Sequence, residues 1–317
     1  MTTAAALGAQ ILPPRQRWRG IDTVAFLLRI GVSAALFAAV LWLSPQKLAW
    51  HDLASMGIGT VAACFVLSAG VVLLLAWRWR YLVSTTTRTI RLPSLAAFAG
   101  LTWTGLAVNQ LLPSVIGGDA LRATLLTRRG VPAAVAAGSV IVDRLYGFAG
   151  LSILCVAGAP LLSPTMFDPV MLGAALVGLV LLVAVLSAWA ASQWSDRLRS
   201  ISQTLTNSLS WRRSPILMSA AIGGHLANTA IFLVIAHALG ASLQILPAIA
   251  VLSAVLLVSA LPISIAGWGL REFALVQAFG GSALEHDKVV LSSIAYGLFL
   301  LLTQAAGFLM ILRSKRT

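Results

Sequence analysis

Two places in this chain interrupt apolar sequence in the same way, 149 residues apart. The first runs from Leu111 through Pro113, Gly117, Gly118 and Asp119 to Arg122, the second from Ala260 through Pro262, Gly267 and Gly269 to Arg271. At that offset Leu112, Pro113, Ile116, Gly118, Leu121 and Arg122 all meet identical residues. A repeat of this kind points to two similar structural units. A Pro and Gly break inside an apolar run, with an Arg just beyond, is the pattern of a discontinuous helix at a transporter binding site.

The apolar runs around these breaks fix the class. Hydrophobic residues make up 59% of the 317 and charged residues only 10%, where a soluble domain carries about 25%. Several runs approach 20 residues, enough to cross a hydrocarbon core. The chain therefore reads as an integral membrane protein. Its net charge of +13 does not imply nucleic acid. The basic residues cluster between apolar runs, where they set orientation and meet anionic lipid. Cys64 and Cys155 both fall inside apolar runs and read as core residues, with neither a disulfide nor a metal site implied. Trp18, Trp42, Trp50 and Trp77 fit interfacial belts.

Residues 1–20 read as a disordered cytoplasmic tail. Residues 21–190 form a first repeat half running into the fourth span. It holds spans at about 24–43 and 57–77, an interrupted segment at 94–129, and spans at 132–159 and 170–190. Residues 191–213 form an amphipathic linker lying on the cytoplasmic surface or solvated beside it. Residues 214–317 complete the second half, with a span at 215–239, an interrupted segment at 247–280 and a span at 289–312.

Charge chooses the threading. If 94–112 crossed fully, Arg128, Arg129, Arg197, Arg199, Arg212 and Arg213 would all lie outside, against the positive-inside tendency. If 94–129 enters and leaves on the cytoplasmic side, 16 basic residues lie inside, leaving only Lys47 and Lys288 outside. That count takes in the tail, 78–91, 128–129, 197–213 and the C-terminus. Treating 247–280 alike gives an all-α polytopic membrane protein with six transmembrane helices plus two re-entrant helical hairpins. Three crossings per half make it an inverted 3+3 repeat, with both termini cytoplasmic.

Ionisable residues at membrane depth are functional candidates by default. Arg144 lies roughly 18 Å along a helix from Pro132 at 1.5 Å per residue, too deep to snorkel, so it needs an anion. The candidates for holding a head group are Arg122, Arg144 and Arg271. Asp119, Asp143 and Glu272 balance that charge or take up a coupled proton. Adjacent helical residues do not face each other, so Asp143 and Arg144 are expected to reach different partners. Arg122 and Arg271 each follow a Gly-rich break, where free helix N–H groups and a guanidinium would seat phosphate. The bland alternative makes Asp119 an N-cap, Arg122 an interfacial anchor and Arg144 a lock on Asp119 or Glu272. Asn109 and Gln110 are placed to satisfy backbone groups freed by the break. His225 and Asn228 suit interhelical hydrogen bonds, while Asn109, His225, Tyr296 and Gln304 are candidates for cavity lining.

Asn109-x-Leu111-Leu112-Pro113, Gly117-Gly118-Asp119-x-x-Arg122, Ser139-Val140-x-x-Asp143-Arg144 and Pro262 with Gly267-x-Gly269-x-Arg271-Glu272 come in order along the chain. This set resembles the lysylphosphatidylglycerol synthase transmembrane family, also called the flippase-like domain family. The resemblance implies movement of aminoacylated, anionic or polyprenyl-linked lipid between leaflets of the cell (inner) membrane. Fused family members carry a soluble synthase domain. No polar stretch here is long enough for one, and no Walker loop, His-Glu-x-x-His or nucleophile elbow occurs. The expectation is a transporter without cofactor, metal or enzymatic activity. A homodimer or a complex with a lipid-modifying enzyme is compatible with it. The rival readings are a secondary transporter of a small soluble anion, and an accessory subunit or transferase in an envelope-lipid pathway.

Overall fold

A computed structural model of the chain describes residues 19–43, 53, 56–87, 90–111, 115–158, 160, 203–204, 206–259, 268–279 and 283–314. Residues 1–18 of the expected tail, the span at 170–190, most of the linker, and Pro113, Pro262 and Gly267 lie outside these, while Arg19 and Gly20, expected in the tail, already belong to the first helix. The helices are α1 (Arg19–Leu43), α2 (Ile58–Thr86), α3 (Leu95–Leu111), α4 (Val115–Thr127) and α5 (Ala133–Gly158), then α6 (Ser214–Ala238), α7 (Ile245–Ser259), α8 (Leu270–Phe279) and α9 (Ala283–Ser314). Among the described residues, four helices are long and apolar enough to cross a membrane: α2, α5, α6 and the Asp287–Ala305 part of α9. This is a multi-pass membrane protein.

α2 does not stop at Trp77 but continues to Thr86. Its buried face, Val72, Ala76, Trp79 and Val83, keeps helical spacing past the point where arginines begin. Arg78 is thereby carried inside the fold instead of sitting on a surface loop.

α3 has 17 residues and α4 has 13, about 25 Å and 20 Å at 1.5 Å per residue, each short of the ~30 Å hydrocarbon core. They fold back on each other as an antiparallel pair. Ser94 caps α3 by accepting from the Ala97 N–H (3.2 Å). At the same end, Arg129 donates to the Ala97 carbonyl (3.2 Å). Near the tip, Asn109 Oδ1 accepts from Gly118 N (2.8 Å). That N–H is among the first four of α4, which have no partner within the helix, so α3 supplies what the start of α4 leaves open.

This corrects the expected break. α4 begins at Val115, so Gly117 and Gly118 belong to the helix and Asp119 is no N-cap. Gly118 is needed for contact: a Cβ there would overlap the Gly105 carbonyl oxygen and the Asn109 side chain. α7 and α8 form the second pair. Gly269 opens α8 at φ +82° against the backbone of α1, where a Cβ would meet Ser33 O at 2.7 Å, so both its backbone angle and its surroundings exclude other residues.

Packing is reciprocal between the halves. α3 lies on α9 and α7 on α5; α4 lies on α5 and α8 on α9; α2 lies on α5 and α6 on α9; α2 and α6 pack against each other at the centre. Small residues permit close approaches, among them Gly150 to Ala221 and Gly158 to Ala250. One pairing departs from the scheme. α5 packs extensively on α6, whereas α2 and α9 meet through Phe65 and Phe299, ring centroids 5.2 Å apart. A cavity occupies the space they leave. Cys64 and Cys155 are both buried in the central apolar cluster.

Gly118→Ala is expected to destabilise the folded protein by about 1–3 kcal/mol, the range for overpacking. Gly70→Ala, with open space around it, is expected to leave the melting temperature of the detergent-purified protein unchanged. Thermal unfolding of the two variants side by side checks this.

Candidate functional site

Three helices bring five charges to one level. Counted from the neighbouring helix ends, Arg78 lies about 12 Å from Thr86, Asp119 about 12 Å from Thr127 and Arg144 about 16 Å from Ala133, at 1.5 Å per residue. Bare charge at such depth is costly, and the side chains answer by forming an alternating line.

Arg78 donates through Nε to Asp143 Oδ1 (2.8 Å) and through Nη2 to the Asp143 carbonyl (3.2 Å). Arg122 Nη2 donates to Asp143 Oδ2 (3.1 Å), and its Nε lies 3.1 Å from Asp119 Oδ1. Arg144 grips Asp119 with Nε (2.7 Å to Oδ2) and Nη2 (3.0 Å to Oδ1). The helical offset between neighbours Asp143 and Arg144 sends one toward α2 and the other toward α4. Arg122 also rests over the Trp79 ring at 4.8 Å, and Trp79 donates to Ser139 Oγ (3.0 Å).

The line runs Arg78, Asp143, Arg122, Asp119, Arg144: three cations and two anions. Arg78, Asp143 and Arg122 are buried, while the Arg144 side chain keeps 36% exposure. It is the open end.

These residues form one end of a cavity of about 280 Å³. On α2 the wall passes from Arg78 through Leu75 to Val71, and on α5 from Arg144 through Phe148 to Leu151. Leu106, Leu256 and Leu300 continue the apolar part. Asn109, His225, Asn228, Tyr296 and Gln304 also line it. His225 Nε2 lies 2.9 Å from the Gly147 carbonyl on α5, and Asn228 donates to Gly224 O in its own helix (3.2 Å).

Arg271 and Glu272 do not line this cavity. Arg271 donates from Nε to Glu272 Oε1 (3.0 Å) and Ser293 Oγ (3.1 Å), and from Nη2 to Glu272 Oε1 and the Ser293 carbonyl. Its guanidinium sits 5.2 Å from the Trp268 ring and 5.4 Å from that of Tyr296. Glu272 is fully buried and accepts from Gly269 N (2.7 Å) and Ser293 Oγ (2.9 Å). Sequence neighbours pair here because Glu272, at the third position of α8, folds back to the helix start, as in a capping box. That N-terminus is therefore taken by a carboxylate. Arg122 lies well inside α4, so the expected seat at a helix N-terminus is absent in both halves.

Counting on 149 residues, Arg122 falls on Arg271, but Asp143 and Arg144 fall on Ser292 and Ser293, so those two charges are not repeated in the second half. In the first half Gly147 lies beside Arg78 and His225, where a Cβ would be 3.8 Å from Arg78 Nη2 and 4.0 Å from His225 Nε2.

Sequence reading missed Arg78, counted as surface charge, and Thr102, a buried hydroxyl on the cavity wall. The apolar stripe continuing through Trp79 and Val83 was the signal for Arg78. Nothing in the sequence distinguishes Thr102 from other helical threonines.

A bundle of apolar helices around a deep line of ion pairs defines a polytopic membrane protein of lipid metabolism or transport once its relatives are known. Residues 26–307 match the family described as lysylphosphatidylglycerol synthase TM region, and the chain belongs to that family. No curated protein matches it.

Removing the carboxylate at the centre of the line is expected to cost most. Asp143→Asn strands Arg78 and Arg122 and is expected to lose about 3–5 kcal/mol. Arg144→Gln, at the exposed end, is expected to lose about 1 kcal/mol or less. Melting temperatures of the two purified variants test the order; equal losses would contradict it.

Proposed function

We propose that the protein moves a lipid with a phosphate-bearing head group between leaflets. The observation carrying this reading is the cavity itself, charged at one end and lined beyond it by apolar side chains with a few uncharged polar groups among them. An amphiphile matches such a lining better than a small soluble anion, which gains nothing from Leu75, Phe148, Leu151 and Leu300. Arg122 and Arg144 hold the head group, since a guanidinium bonds phosphate in a fork. Asp119 trades partners with the incoming anion, because its grip on Arg144 is the most exposed link of the line. Arg271 and Glu272 brace the second pair of short helices against α9.

Transport requires the cavity to open toward each surface in turn. The reciprocal packing supports six spans with two re-entrant hairpins in inverted halves, an arrangement in which one half can rock against the other. The short α3–α4 and α7–α8 pairs are the hairpins of this arrangement.

Two measurements test it. In proteoliposomes with fluorescent phospholipid, the protein is expected to speed flipping, with Arg122→Ala and Arg144→Ala slowing it by about tenfold or more, as expected for loss of charge-assisted bonds. Undiminished flipping in both variants would remove the site. Single cysteines at Arg128 and Ser282, in a chain with Cys64 and Cys155 replaced, are expected to label from opposite sides of the membrane; labelling from one side ends the inverted arrangement.

A further inference from the structure

Resting on the reading of this cavity as the head-group site, we propose that Arg78 and Thr102 complete, with Arg122, a seat for a singly charged oxyanion. A lipid phosphodiester and a free phosphate monoanion share that chemistry. The seat favours net negative charge over a zwitterion.

Three observations converge on it. Among the described residues, six buried side-chain polar atoms lack a hydrogen-bond partner, and three belong to residues on this cavity's wall: Arg78 Nη1, Arg122 Nε and Thr102 Oγ1. Buried polar atoms in folded proteins are ordinarily satisfied, so such a concentration marks donors held for something that arrives later. Thr102 is the most telling. A helical hydroxyl ordinarily bonds a carbonyl one turn back, as Ser253 and Thr303 do here, yet Thr102 does not.

Arg78 has committed Nε and Nη2 to Asp143, which leaves Nη1 spare on a guanidinium that is 4% exposed. Arg122 Nε is close to Asp119 but not aligned to donate to it.

The charge count gives the preference. Three guanidinium groups face two carboxylates, so the line carries one uncompensated positive charge where the surroundings are apolar. One monoanion neutralises it. A zwitterionic head leaves the balance unchanged and adds a cation that no spare carboxylate among the cavity-lining residues receives. A cavity of about 280 Å³ accepts a phosphate with a short polar substituent.

The full chain, purified in maltoside detergent, is titrated by calorimetry with dihexanoyl-phosphatidylglycerol, dihexanoyl-phosphatidylcholine and inorganic phosphate. The anionic diester is expected to bind about tenfold or more tightly than the zwitterionic one. Thr102→Val is expected to weaken anion binding about three- to tenfold, the scale of one hydrogen bond, with an unchanged or higher melting temperature because an unsatisfied hydroxyl is removed. Arg78→Lys is expected to weaken it by about tenfold through loss of the planar fork. Should Arg78→Lys fail to fold, Thr102→Val decides alone. Equal affinity for the two diesters, or unaltered anion affinity in the folded variants, overturns the seat. Phosphate binding without diester binding keeps the seat and ends the lipid reading. Anion binding that both substitutions weaken, in a protein that does not speed flipping, likewise separates the two.

Discussion

Everything in this fold answers to the cost of a charge surrounded by hydrocarbon. Asp143 sits at the middle of that answer. It takes a guanidinium from α2 on one oxygen and one from α4 on the other, tying three helices at one depth. Neither arginine has another carboxylate in equally good alignment. The helices α2, α4 and α5 could slide along one another on apolar contacts alone, since lipid tails compete with leucine on equal terms. The ion pairs set their register.

The second half meets the same cost by a more local route. Arg271 is met by its own neighbour Glu272, by Ser293 and by two aromatic faces. The charge is satisfied within one short helix and the face of α9. The first half spreads its charges over three helices, and these border the cavity.

Much of the fold was legible because periodicity and breaks survive in sequence. Helix ends at Leu43, Leu111, Ala133 and Phe279 fall within a residue or so of expectation, since Pro and Gly punctuate them. The interior of α4 was misread because Gly117 and Gly118 look like a loop. Only the neighbouring carbonyl of Gly105 reveals that they are there for contact. The acid and base residues of the site were visible as charges out of place, but their pairing was not: which carboxylate each arginine takes depends on helix rotation. Arg78 was hidden by company, one arginine in a run of several, though the stripe through Trp79 and Val83 carried it inward. The span at 170–190, Pro113 and Pro262 lie outside the described residues.

The placement of Tyr296 bears on how the two halves are joined. Its ring lies 5.4 Å from the Arg271 guanidinium and also forms part of the wall of the cavity that Arg78 and Arg122 line. One side chain of α9 is thus shared between the local charge cluster of the second half and the open space beside the charges of the first. Anything that shifts α9 against α8 moves that ring, so the two clusters are mechanically linked by the residue that touches both.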